Sequence, residues 1–155
     1  MNNLIYREAQ PGDENQVLKL IEVVLSEYNL NLEPQGADKD VTNLKSNYLT
    51  NNGWFQVVEN GEKIIGSVGI YKIDNNECEL RKMYLYPEYQ GQGIGSTLMR
   101  TALEKAKQLG YKYMTLQTNS ILIKALPLYK KYGFINDDSI ETCSRCDIAM
   151  KIELV

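Results

Sequence analysis

Between Tyr84 and Arg100 an extended run rich in β-formers meets Pro87, then a loop carrying Gly91, Gly93 and Gly95, then a helical pattern. Three glycines spaced two apart carry a high backbone-entropy penalty unless the main chain must stay bare. Peptide N–H groups at such a loop and at a helix N-terminus form a positive pocket for an anion, phosphate above all. A flexible loop with a glycine cap is the competing reading, and the direct join to a helix start favours the anion. The spacing is G-x-G-x-G, whereas the dinucleotide fingerprint needs G-x-G-x-x-G within a βαβ unit. No G-x-x-x-x-G-K-[ST] sequence is present, which excludes a P-loop.

The elements on either side limit the fold. Leu4 to Glu8 reads as a strand, and Pro11-Gly12-Asp13 punctuates before a helix from Glu14, with Asp13 as N-cap. Val17, Leu20, Ile21, Val24, Leu25 and Tyr28 give that helix one buried face. A second, weaker helix is predicted from about Asp38, with Val41, Leu44, Tyr48 and Leu49 on one side. Trp54 to Glu59, Lys63 to Lys72 and Glu77 to Tyr86 read as an antiparallel meander turned at Asn60-Gly61 and Asp74-Asn75-Asn76. Gly66 and Gly69 suggest a bulge or close packing in the middle strand. After the loop, a helix runs from Ile94 to a stop at Gly110, followed by a strand from Tyr111 to Thr118. A helix from about Ile121 to Tyr132 and strands at Phe134 to Asn136 and Thr142 to Leu154 complete the pattern. The order β-α-α-β-β-β-α-β-α-β-β predicts a single α/β (α+β) domain over residues 1–155. Its mixed, mostly antiparallel sheet has about seven strands, with four helices on its faces.

Composition removes several function classes. At 155 residues with 43% hydrophobic and 24% charged residues, the chain resembles an ordinary soluble domain. A formal charge of -3 argues against a nucleic-acid partner, and no apolar run approaches membrane-spanning length. Histidine is absent, so Ser-His-Asp and Cys-His catalysis and His-ligated metal are all excluded. Cys78, Cys143 and Cys146 make an odd count without an apparent signal peptide, so a cytoplasmic chain with reduced thiols is expected. Cys143 and Cys146 have C-x-x-C spacing, but no second pair completes a zinc site. They read as two residues of a late strand rather than as redox or metal chemistry.

Two blocks carry a resemblance. Gln90-Gly91-Gln92-Gly93-Ile94-Gly95 matches the Q/R-x-x-G-x-G/A signature of the GNAT N-acetyltransferase superfamily, following the fourth strand and opening the third helix. Ala125-Leu126-Pro127-Leu128-Tyr129-Lys130-Lys131-Tyr132-Gly133-Phe134 is similar to its A-x-x-L-Y-x-x-x-G-F block. The resemblance implies acetyl-CoA as co-substrate, no metal, and transfer to an amine by direct attack in a ternary complex. It implies that the backbone of Gln90, Gly91, Gln92, Gly93, Ile94, Gly95 and Ser96 binds the pyrophosphate. Met83 and Leu85 would bond the pantetheine arm through their main chain, beside a slot where the fourth and fifth strands part. Where many members carry an asparagine three residues before the alanine of the second block, this chain has Leu122; either an apolar residue serves there, or Asn119, three residues earlier, takes over the contact in part.

Acetyl transfer to an amine needs a base for the ammonium proton, a donor for the oxyanion, and a proton or hydrogen bond for the leaving sulfur. A CoA thiol has a pKa near ~8.5 and a tyrosine near ~10, so a Tyr hydroxyl can supply the last without ionising first. Tyr129 occupies the position of the family's general-acid tyrosine, and Tyr132 reads as packing. For the base the leading candidate is Glu79, which on a regular strand shares a face with Arg81, Met83 and Leu85. A strand carboxylate paired with a neighbouring cation is the alternative, and Tyr84, Glu77 or a water chain also stand. The acceptor, a small-molecule or peptide amine, would meet residues 29–48 and 137–145. In the first of these segments and just before it, Glu27, Tyr28, Glu33, Asp38 and Asp40 form an acidic set that could hold a cation. A homodimer is left open. The rival function is a non-catalytic acyl-CoA-binding or regulatory domain, against which Tyr129 speaks, because a pure binder needs no hydroxyl there.

Overall fold

The computed structural model describes residues 3–155. Seven strands form one sheet in the order β1-β2-β3-β4-β5-β7-β6. They are β1 (Leu4–Glu8), β2 (Trp54–Asn60), β3 (Lys63–Lys72), β4 (Glu77–Leu85), β5 (Tyr113–Thr118), β6 (Ile135–Asn136) and β7 (Ile148–Glu153). Every pairing is antiparallel except that of β4 with β5. The parallel pair requires a crossover, and α2 (Ile94–Gln108) supplies it. The glycine loop therefore lies at the C-terminal end of β4, at the one place where two neighbouring strands point the same way.

Helix α1 (Glu14–Ser26) follows its periodicity, burying Val17, Leu20, Ile21, Val24 and Leu25. Asp13 stands at its N-cap, but the carboxylate accepts from Arg7 at 2.8 Å and from the Gln10 amide at 2.8 Å rather than from the helix. One apolar layer joins Leu98, Met99 and Ala102 of α2 to Ile65, Val68, Ile70, Met114 and Leu116. A second joins Ile21 and Leu25 to Phe55, Val57 and Tyr48. Gly69 allows the second layer to close, since a Cβ there would lie 2.7 Å from the Phe55 ring and 2.9 Å from that of Tyr48.

Four sequence expectations need correction. The second helix is a 3-10 turn over Lys39–Thr42 and one wide turn over Lys45–Leu49. Val41, Leu44 and Tyr48 are buried as expected, but Thr50 N–H donates to the Lys45 carbonyl at 2.9 Å, a five-residue step that an α-helix does not make. The helix expected from Ile121 begins only at α3 (Leu126–Lys131). Ser120 is drawn away, its N–H and hydroxyl bonding the Asp147 carboxylate at 2.7 and 2.6 Å. The last strand starts at Ile148, not Thr142, and residues 142–147 form a turn.

The fourth correction matters most for the site. Arg81 pairs with Gly69 and Tyr84 with Ser67, so β4 has one residue more than β3 over this stretch. The extra residue makes a β-bulge at Lys82, whose φ of 57° is left-handed. A one-residue shift reverses the faces that follow. Glu79 and Arg81 consequently share their face with Tyr84, not with Leu85.

Candidate active site

β4 and β5 pair only from Glu77–Tyr113 to Leu80–Leu116. Beyond Leu80 the strands part, and β4 continues to Leu85 with its β5-side edge unpaired. This opening is the floor of a cavity of about 690 Å³ that runs from the glycine loop to the loops beyond α1. Gly91 (φ 78°) and Gly93 (φ 85°) both adopt the left-handed region, and a Cβ on either would meet no protein atom within 4 Å. Gly93 is the N-cap of α2, and Thr97 N–H is the first to reach its carbonyl, at 3.1 Å. The amides of Ile94, Gly95 and Ser96 precede it in the first turn, where a helix offers them no acceptor.

The loop residues divide by what their side chains do. Gln90 Nε2 donates to the Leu85 carbonyl at 3.1 Å and ties the loop to the strand end. Gln92 Nε2 donates to the Glu88 carbonyl at 3.1 Å, and Ile94 is buried in the core. Gly91, Gly93, Gly95 and Ser96 line the cavity, as do Met83 and Leu85. The Met83 methyl lies 3.9 Å from the position of a Cβ on Gly95, so it packs beneath the start of α2.

Tyr129 sits on α3 with its ring edge-on to Phe134, centroids 6.2 Å apart. The residue is only 7% exposed, lines the cavity, and its hydroxyl has no hydrogen-bond partner among the described residues. Burial, with a smaller contribution from Cys146, pushes its pKa up to about 12. The proton therefore stays on through the neutral range. Asn119 also lines the cavity, but its carboxamide is engaged elsewhere: Nδ2 donates to the Arg145 carbonyl at 2.9 Å and Oδ1 accepts from Ile121 N–H at 2.9 Å.

Glu79 lines the same cavity and is 5% exposed. Arg81 Nε donates to one of its carboxylate oxygens and Gln117 Nε2 to the other, at 3.0 Å. The Arg81 guanidinium lies over the Tyr71 ring, 3.8 Å from its centroid, and 3.7 Å from Asp40. Tyr84, on the same face, is pushed above the usual tyrosine range by burial.

Asp40, Glu79, Arg81, Lys82 and Arg145 line the cavity as part of a network of charges. Asp38 is fully buried; it receives Arg145 at 2.7 and 3.0 Å, Lys82 at 2.7 Å and the Glu33 amide at 2.9 Å. Lys82 also donates to the Ala37 carbonyl at 2.7 Å and lies 3.4 Å from Asp40, which accepts the Tyr48 hydroxyl. Three carboxylates (Asp38, Asp40, Glu79) thus face three cations (Arg81, Lys82, Arg145). Of the acidic set named from the sequence, Asp38 and Asp40 are neutralised from within rather than held free for a cationic ligand. Burial raises the Asp38 pKa, but the Arg145 hydrogen bonds and the Lys82 charge more than reverse this and hold it at about 2.

That depression has a sign that can be measured. A carboxylate with folded pKa about 2 and unfolded pKa 3.8 contributes stability that is full above the unfolded value and lost as pH falls through the folded one. The contribution is about 2 kcal/mol. Urea unfolding should show this loss between roughly pH 4 and 2. Asp38→Asn should remove the slope and cost about 3–5 kcal/mol at pH 7, because Arg145 and Lys82 stay buried without their acid. An unchanged slope would show that Asp38 is not held this way.

Residues 20–134 match the acetyltransferase (GNAT) family. The chain belongs to that family. It is 30% identical over 167 residues to the uncharacterised N-acetyltransferase YjgM of Escherichia coli, covering 99% of this chain and 100% of YjgM. Its fold superposes with TM-score 0.88 on a GNAT-family acetyltransferase of Staphylococcus aureus Mu50, at 22% identity over 98% of this chain and 99% of that one. yncA of Salmonella typhimurium, solved with its cofactor acetyl-CoA, gives a TM-score of 0.74 at 17% identity, over 99% of this chain and 95% of that one.

In this GNAT enzyme, then, the fold brings the glycine loop, Met83, Leu85, Tyr129, Asn119 and Glu79 around one cavity, while Gln92 and Ile94 turn away from it. Sequence reasoning missed Lys82 and Cys146 as part of the site, and it reached Cys143 and Arg145 only as members of the segment 137–145. The Lys82 bulge carries no local signal, because a left-handed residue is ordinarily glycine or asparagine.

Proposed function

We propose that the chain transfers the acetyl group of acetyl-CoA to an amine of a small molecule or peptide, both bound at once along the split between β4 and β5. The observation that carries this reading is the unpartnered hydroxyl of buried Tyr129, standing in the same cavity as the open amides at the start of α2. The residues fit the cofactor: two left-handed glycines leave room where a Cβ would meet a bound phosphate, and the free first-turn amides, with the helix dipole behind them, suit an anion. The main chain of 90–96 would hold the pyrophosphate, and the open edge of β4 at Met83 and Leu85 would hold the amide-bearing arm. Acetyl-CoA supplies an acetyl group activated as a thioester.

The protein's own groups divide the proton work. Tyr129 keeps its proton and directs it at the sulfur that leaves. With a pKa of about 12 against ~8.5 for a thiol, it acts by a shared hydrogen bond rather than by early release. Glu79, fixed by Arg81 and Gln117, receives the ammonium proton of the acceptor, directly or through water. The charged wall of Asp38, Lys82 and Arg145 shapes the acceptor end.

Free-thiol release from acetyl-CoA against a panel of a polyamine, an amino-acid amide, an aminoglycoside and a peptide with a free N-terminus tests the reading. Turnover with at least one is expected. Tight CoA binding with no turnover on any would leave a binding domain instead. Glu79→Gln, which keeps the size and the Gln117 contact, should lower kcat about ten- to a thousandfold. Wild-type kcat in that variant would free Glu79 from the role.

A further inference from the structure

Cys143 and Cys146 face each other across a tight turn, with Cys146 N–H donating to the Cys143 carbonyl at 3.0 Å and the two sulfurs 3.0 Å apart. Cys143 is exposed and Cys146 partly so, and both border the cavity; the third cysteine, Cys78, is fully buried in the core. No group of three Cys, His, Asp or Glu side chains suited to a metal ion occurs among the described residues, so the pair has no partners for a closed tetrahedral site.

The turn is wired to the wall around it. Arg145, between the two cysteines, clamps Asp38, and its carbonyl accepts from Asn119. Cys143 N–H donates at 2.7 Å to Gln117 Oε1, and the same Gln117 carboxamide donates to Glu79. Any tightening of the turn therefore pulls on the Asp38 clamp and on the residue that positions Glu79.

We propose that Cys143 and Cys146 form a dithiol site that exchanges with low-molecular-weight disulfides, and that closing the bond slows transfer by shifting the acceptor wall. The second half rests on the reading of that wall as the acceptor end. The Cys143 thiolate attacks one sulfur of the external disulfide, forming a mixed disulfide and releasing one thiolate. The Cys146 thiolate then attacks the Cys143 sulfur and releases the second. Two protein thiols are oxidised, one external disulfide is reduced to two thiols, and the two protons lost by the cysteines go to the departing sulfurs. Solvent access makes Cys143 the first to react. Burial and then the neighbouring Cys143 push Cys146 up to about 12, and capture of Cys143 removes the second of these influences.

The test incubates the whole protein in glutathione buffers of increasing oxidised fraction, traps free thiols with N-ethylmaleimide, and maps the peptides by mass. The expected result is one peptide spanning 143–146 lighter by about 2 Da and closed to the trap, with Cys78 labelled only after denaturation. Cys146→Ser should instead retain glutathione on Cys143. Acetyl-CoA affinity of the oxidised protein should be unchanged by calorimetry, while thiol release with the amine panel falls by up to about a hundredfold, the scale of a 1 Å misplacement. Dithiothreitol should restore it, and the double variant Cys143→Ser/Cys146→Ser should not respond to oxidant. Two trappable thiols at the most oxidising ratio would overturn the dithiol site. An oxidised protein with full rate would overturn its coupling to the wall. Failure of every amine with the reduced protein would count against the transfer reading alone, since the peptide map decides the site independently.

Discussion

Tyr129→Phe is expected to lower kcat by about ten- to a thousandfold, the span of a lost acid–base group, with acetyl-CoA affinity held within about twofold. The change removes one oxygen and nothing else. The Tyr129 hydroxyl has no partner among the described residues, so its loss breaks no hydrogen bond, and the ring contact with Phe134 survives. The unfolding midpoint should therefore stay where it is or rise slightly. A fall in kcat without a fall in stability separates a chemical role from a packing one. Wild-type kcat with normal stability would remove Tyr129 from the reaction. Since burial holds the hydroxyl's pKa at about 12, the wild-type rate should show no decline from Tyr129 ionisation below about pH 11.

Gly93→Val is expected to weaken acetyl-CoA binding by about a hundredfold or more, the loss of two charge-assisted hydrogen bonds to backbone amides. Two causes act together. At φ 85° an L-residue carries a strain of about 1–2 kcal/mol, more when β-branched, so the N-cap would turn out of the left-handed region and take the first-turn amides with it. If the backbone held instead, the methyl groups would enter space that no protein atom fills, where the anion is placed by our reading. Gly95→Ala separates these causes. Gly95 is not left-handed, and a Cβ there makes ordinary contacts of 3.7 Å to Leu128 and 3.9 Å to Met83. That variant should fold at least as well as the wild type, because alanine suits a helix interior better. Calorimetry with CoA and thermal unfolding on both variants provide the check. Normal affinity in Gly93→Val would refute the phosphate cradle.

Much of the fold was legible. β1, β3, and the starts of α1 and α2 lie where periodicity and punctuation put them, because Pro11-Gly12, Asn60-Gly61 and the glycine loop end each pattern sharply. Two of the errors share one physical source. Residues 119–125 and 142–147 are held by side chains that reach each other, Ser120 to Asp147 and Asn119 to the Arg145 carbonyl, across more than twenty positions. Local propensity carries no trace of such bonds, so a helix and a strand were expected where two loops instead brace one another.

The site divides along the same line. The half that we assign to the cofactor was carried by the sequence: three glycines at a strand–helix junction and a tyrosine in a second block are local patterns, and the fold sets both around one cavity. Tertiary structure decided the half that we assign to the acceptor. The single extra residue at Lys82 turns Tyr84, rather than Leu85, toward the face of Glu79. Asp38, read from the sequence as a free acid, is buried between Lys82 and Arg145, which lie 44 and 107 positions away along the chain. Cys143 and Cys146 became a facing pair only because their segment left the sheet. A backbone cradle is written in consecutive residues, whereas a pocket of paired charges exists only after distant segments have met.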